Sequence, residues 1–138
     1  MLRRIGLGLL VLGMSLLVSP ATLMAADKSN EFLQLVVKLI GDNDREFRAA
    51  GLDQVRTSAG GPKGTKLFVG RLPELDSDGQ AALVSALADR GDPTARPAMV
   101  GLLHSSADEN VRAAAILALG KLGEPVDLPL LITLLLPL

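Results

Sequence analysis

The chain has no cysteine, tryptophan or tyrosine, and a single histidine. Without cysteine there is no disulfide, no thiol nucleophile and no cysteine-ligated metal. One histidine leaves a zinc site of the usual kind short of ligands. Aromatic residues make up 2% of the chain, so a core must be built from leucine, valine and alanine. Such residues suit close-packed helices better than a β-sandwich, and no long run alternates apolar and polar residues in strand fashion. An excess of one charge is missing too: 14 basic residues face 15 acidic ones. Arg45, Arg48, Arg56, Arg71, Arg90 and Arg96 lie scattered among acids and read as solvated faces and repeat ladders. With no basic stripe, nucleic acid is argued against as a partner, as is an anionic membrane surface. The length of 138 residues suits one domain, and the class is all-α.

Residues 1–25 carry the marks of a secretory signal peptide: Arg3 and Arg4, an apolar run from residue 5 to 18, a break at Pro20 and small residues at Ala25 and Ala26. Cleavage after Ala25 or Ala26 is expected. The alternative is an uncleaved anchor, since a span needs about 20 apolar residues, but Pro20 and Thr22 weaken the tail of this run. No cysteine follows, which excludes a lipoprotein. Removing Arg3 and Arg4 leaves 12 basic against 15 acidic residues, a formal charge of −3. The expected location is periplasmic or secreted, with membrane contact only if the segment stays in place. Export would permit disulfides, yet none can form, so packing alone must stabilise residues 26–138.

Residues 107–123 organise the rest. Ser106 and Asp108 both suit a helix N-cap, and Ser106 with Glu109 has the capping-box spacing. Val111, Ala114, Ala115, Leu119 and Leu122 fall on one helical stripe, widened by Ile116. Gly123 is expected to end the helix in a left-handed conformation, with Pro125 just beyond. Shifted back by 32 and then 64 residues, the pattern recurs. Asp108 aligns with Asp76 and Asp44, Ile116 with Val84 and Leu52, and Leu119 with Leu87 and Val55. Arg112 aligns with Arg48, but the middle copy has Gln80; Gly123 aligns with Gly91, but the first copy has Ala59. The preceding segments align in the same register through Leu35-Val36, Leu67-Phe68, Met99-Val100 and Leu131-Ile132. Each unit is a helix A, a turn and a helix B, and such units share a core only when stacked. The A helices are expected near 31–40, 63–72 and 94–104. The B helices are expected near 44–56, 76–89 and 107–123. Residues 27–30 are expected to be a polar leader and 57–66 a flexible linker. A fourth A helix starts at 128 with no B helix after it. Its apolar run 128–138 reads as a truncation, as a face buried in a homo-oligomer or partner, or as a loose cap.

The stretch from Asp108 through Arg112-Ala-Ala-Ala-Ile-x-Ala-Leu-Gly-x-Leu-Gly resembles the second helix of a HEAT-like repeat, especially the short type named after phycobilisome lyases. The resemblance covers residue 31 to the C-terminus. It implies an α-solenoid that serves as a protein-binding scaffold. It also implies a structural ladder between repeats from Asp44, Arg48, Asp108 and Arg112, with Asp76 in the same register but lacking its Arg.

No catalytic constellation, cofactor site or metal site emerges. His104 has no oriented partner and sits where a helix dipole favours it. Asp76-Ser77-Asp78-Gly79 fits part of an EF-hand loop, but Ser85 stands where the bidentate Glu belongs. Asp42-Asn43-Asp44 has Phe47 in place of the glycine. Residues 60–66 resemble a phosphate loop in composition, not in order. The expected function is therefore an exported, non-catalytic protein–protein interaction scaffold, binding through the concave ridge of B helices. The alternatives are the N-terminal repeats of a larger exported enzyme or electron-transfer protein, or a lyase/isomerase-type subunit. The partner is an unidentified protein, with self-association through 128–138 as an option.

Overall fold

The computed structural model describes residues 19–57 and 60–136. The charged and apolar parts of the expected signal peptide lie outside these residues. Among the described residues there are seven α-helices and no strand: α1 (Pro20–Ile40), α2 (Arg45–Arg56), α3 (Gly61–Arg71), α4 (Ser77–Arg90), α5 (Arg96–Ser105), α6 (Glu109–Leu122) and α7 (Leu128–Leu135). Three-residue 3-10 turns at Leu72–Glu74, Pro93–Ala95 and Pro125–Asp127 join them. The all-α solenoid of helix pairs is thus in place.

Two layers result. The B helices α2, α4 and α6 lie side by side, with α4 against both neighbours and closest to α6. The A helices form the other layer, with α1 along α2 and α5 along α6. One core runs between the layers, built from Leu33, Val36, Ile40, Val55, Phe68, Leu83, Leu87, Met99 and Leu119, each at most 2% exposed.

The 32-residue register holds throughout the B layer. Val55, Leu87 and Leu119 occupy one core position, and Gly51, Leu83 and Ala115 another. In the A layer it holds once and then slips. Val36 and Ile40 of α1 correspond to Phe68 of α3 and Leu72 of the turn after it at 32 residues. Those in turn correspond to Met99 and Leu103 of α5 at 31. Gly70 and Gly101, both open to solvent, follow the same shorter spacing. Pairing Met99-Val100 with Leu67-Phe68 is therefore off by one. The cause is the connection after α4, where a left-handed Gly91 (φ 74°) leads at once into the Pro93–Ala95 turn.

Three boundaries also differ from expectation. Helix α1 begins at Pro20 and runs straight through residues 27–30. Ala, Leu, Met and Lys favour helix there, and Pro at the first turn is pre-set for it. Its residues up to Phe32 are exposed. The segment expected to be a linker is mostly the start of α3. Gly60 (φ 75°) turns the chain, Pro62 lies in the first turn, and Gly64 and Thr65 are buried. Gly123 is not left-handed (φ −71°); what it needs is space, because a Cβ there would collide with the Leu119 carbonyl.

Packing separates residues that composition alone treats alike. Phe68 is fully buried, whereas Phe47 is 56% exposed, although its register mates Gly79 and Val111 are buried. Phe68→Ala should cost about 3–5 kcal/mol and Phe47→Ala under about 0.5 kcal/mol in urea denaturation.

Candidate functional site

The repeated Asp has one geometry in every unit. Asp44 caps α2, its carboxylate accepting from the N–H groups of Glu46 (2.8 Å) and Phe47 (3.4 Å). Asp76 caps α4, accepting from Gly79 N–H at 2.8 Å. Asp108 caps α6, accepting from Asn110 (2.8 Å) and Val111 (3.1 Å). The residue four positions on also has one task. Arg48 Nε donates to the Asp42 carbonyl at 3.1 Å, and Arg112 Nη1 donates to the Ser106 and Ala107 carbonyls at 3.0 and 3.1 Å. Gln80 takes the Arg position without loss of the motif: its Nε2 donates to the Leu72 and Leu75 carbonyls at 3.0 and 3.2 Å. These bonds pin each A–B turn to its own B helix, where polar backbone would otherwise go unpaired.

Longer-range ties come from residues the repeat motif does not include. At the exposed ends of the B helices, Asp89 of α4 takes Arg56 Nε of α2 at 3.3 Å and Lys121 Nζ of α6 at 2.5 Å. Beneath them Arg90, 8% exposed, reaches across to the end of α2 and the start of α3. Its Nη1 donates to the carbonyls of Val55 (3.0 Å) and Thr57 (2.6 Å), its Nη2 to Gly61 (2.8 Å), and its Nε to Thr65 Oγ1 (2.7 Å). The guanidinium also lies 5.4 Å from the centre of the Phe68 ring, within cation–π range. Thr65 passes the chain on, donating to Asp92 at 2.5 Å. One unit further, Arg96 of α5 grips the buried Asp127 in a bidentate pair, with Nε at 2.8 Å from Oδ2. Arg56, Arg90 and Arg96 are among the arginines that the sequence shows only as scattered charge. The available signal was spacing: Arg56, Asp89 and Lys121 lie roughly one repeat apart.

The ties set the carboxylates. The Lys121 ammonium, helped by Arg56, holds the Asp89 carboxyl below its ordinary value. Burial pushes Asp92 up, but hydrogen bonds from Thr65 and Thr94 and the Arg90 charge together outweigh it, so it also falls. The Val111 N–H lowers Asp108, and the Arg96 hydrogen bonds lower Asp127. Burial lowers Arg90 as well, opposed by Asp92.

Two kinds of surface concavity follow from the stack. Clefts open at the A–B turns between units. The larger, about 620 Å³, is lined by residues including Leu72, Ser77, Gln80, Ser106 and Asp108. Its counterpart one unit earlier includes Ile40, Arg48 and Asp76. Grooves also run between B helices. One of about 400 Å³ between α4 and α6 is lined by Ser85, Ala88, Ala114, Leu117, Ala118 and Lys121, with Leu117 72% exposed. His104 is exposed near the end of α5. Among the described residues, no three His, Cys, Asp or Glu side chains group so as to hold a metal, and no helix is long and apolar enough to cross a membrane.

Three stacked units therefore share a cap, a turn clamp and a continuous B layer. The profile of the family described as HEAT repeats matches residues 65–136, from α3 through α7. The chain belongs to the HEAT-repeat family. No curated protein and no solved structure matches it. The HEAT profile begins within the second unit. The first unit follows it in cap, clamp and B-layer register through Asp44, Arg48 and Val55.

The lowered carboxylates give this HEAT stack an acid limit. In the unfolded chain they titrate near 3.8, and in the folded chain below it. Their contribution to stability is therefore whole above pH 3.8 and is lost as pH falls through the folded values. Chemical denaturation across this range should show stability falling with acid, and Asp89→Asn should flatten the decline.

Proposed function

We propose that this HEAT-repeat chain is an exported, non-catalytic scaffold that binds a protein across its layer of B helices. The observation that carries the reading is the α4–α6 groove. Alanines form its walls, and Leu117 stands over it with 72% of its surface exposed. An exposed large apolar side chain beside a concave apolar floor is what an interface core uses. The ties that fix the helices on either side, through Asp89, Arg56 and Lys121, keep the groove preformed, which lowers the entropy cost of docking. Export is supported by the features of residues 1–25. Cleavage after Ala25 or Ala26 leaves all three buried residues of α1 (Leu33, Val36 and Ile40) in place.

Affinity capture from the exported fraction of the native host tests both parts. The exported chain should begin at Ala26 or Asp27 by N-terminal sequencing and should carry a partner that binds saturably. Leu117→Glu should weaken that binding by about tenfold or more without lowering the melting temperature. Salt-dependent retention of no specific protein, or equal binding by Leu117→Glu, would overturn the scaffold reading. A chain retained in the cytoplasm with residues 1–25 still attached would overturn export.

A further inference from the structure

Helix α4 meets its two neighbours unequally. It packs on α6 over the larger contact and on α2 over the smaller. In α4 and α6 the register positions are small: Ala86, Ala88 and Ala118 are at most 5% exposed, and Gly120 is in register with Ala88. In α2 the same positions hold Gln54 and Arg56. Two long polar side chains thus stand where alanine and glycine let α4 and α6 close up, and side-chain size at the contact sets the distance between helices.

The two ends of the α2–α4 joint also differ. At the C-terminal ends, Arg56 Nε meets Asp89 at 3.3 Å, and Arg90 donates to the carbonyls of Val55 and Thr57. Arg90 is in register with Leu122, a buried residue of α6, so a polar tie here replaces apolar packing. At the N-terminal ends, among the described residues, no hydrogen bond or ion pair joins the first half of α2 to the first half of α4. Arg48 and Gln80 each turn back to their own A–B turn. A groove of about 490 Å³ opens there, lined by Arg45, Arg48, Ala49, Leu52, Asp78 and Ala82.

We propose that α1 and α2 swing as one body on the rest of the stack. The pivot is the C-terminal end of the α2–α4 joint, pinned by Arg90 and the Arg56–Asp89 pair, and the joint opens at its N-terminal end. Helix α1 moves with α2 because the two pack along each other, while the contact of α1 with α3 is small. Gly60 and Gly61, at φ 75° and 50°, begin α3, and consecutive glycines absorb the change in φ and ψ that a swing requires. Helices α4 and α6 stay together as the second body. The swing widens or narrows the α2–α4 groove, leaves the α4–α6 groove unchanged, and fits the B layer to surfaces of different curvature. It does not depend on what docks at Leu117.

Because the chain has no cysteine, pairs of introduced cysteines can carry spin labels without background. Glu46, Asp78 and Asn110 hold one register position on α2, α4 and α6, and all three are exposed. In the full chain, the distance between labels on Glu46→Cys and Asp78→Cys should spread more widely than that between Asp78→Cys and Asn110→Cys. Labels on Asp53→Cys and Ser85→Cys, exposed positions nearer the pivot, should spread less than the Glu46–Asp78 pair. Arg90→Met loosens the pivot and should speed amide exchange in α2 by about tenfold or more, with exchange in α6 unchanged. Equal spreads at Glu46–Asp78 and Asp78–Asn110 would overturn the proposal, and this comparison needs no change at Arg90. Exchange that Arg90→Met speeds in α2 and α6 alike, or in neither, would also overturn it, since the three units would then be one body. Leu117→Glu should leave every spread as it is.

Discussion

Everything in this molecule depends on how closely α4 and α6 approach. Small residues set that distance: Ala88, Ala114 and Ala118 line the contact, and Ala86, Ala115 and Ala118 are at most 1% exposed. Close approach lets Leu83, Leu87 and Leu119 share one core instead of three separate ones. Burying each such side chain stabilises by about 1.5–3 kcal/mol, whereas an exposed ion pair of the Arg56–Asp89 kind contributes about 0–1 kcal/mol. Packing therefore supplies the stability. With three phenylalanines and no larger aromatic residue, small and aliphatic side chains must do it.

The polar ties have a different task, which is to fix the register of one unit on the next. Arg90 is the main case. Burying a guanidinium is costly unless its donors are satisfied, and here carbonyls at the end of α2 and the start of α3 take them. The glycine-rich segment can fold as a helix start because Arg90 and Thr65 hold it from below. The Arg96–Asp127 pair does the equivalent between α5 and the turn before α7. The result is a stack whose B layer is rigid enough to present a preformed groove.

The B layer was legible from the sequence because its register is strict. Asp caps, Ala pairs and Leu positions recur every 32 residues, and the structure keeps them. The A layer was less so, because the 31-residue step from α3 to α5 hides behind the 32-residue step of the helices around it. Val69-Gly70 and Val100-Gly101 carried that signal. Residues 60–66 misled because glycine and proline usually mark linkers, and the burial that overrides them comes from Arg90, 25 residues or more away. The Asp caps were legible as repeated features, while the task of Arg48 and Arg112, holding their own turn in place of a ladder between repeats, needed coordinates. The ties through Arg56, Asp89, Arg90 and Asp127 had no local motif to reveal them.

The central claim is that close approach of α4 and α6 holds the stack together, and a side chain inserted at that contact tests it directly. Ala118 is 1% exposed and lines the groove between the two helices, whereas Ala113, on the same helix, is exposed. Urea denaturation of Ala118→Leu should show a loss of about 1–3 kcal/mol, with Ala113→Leu within about 0.5 kcal/mol of the parent. Equal stability of all three chains would mean that α4 and α6 are not in close contact, and the account of the fold would fail.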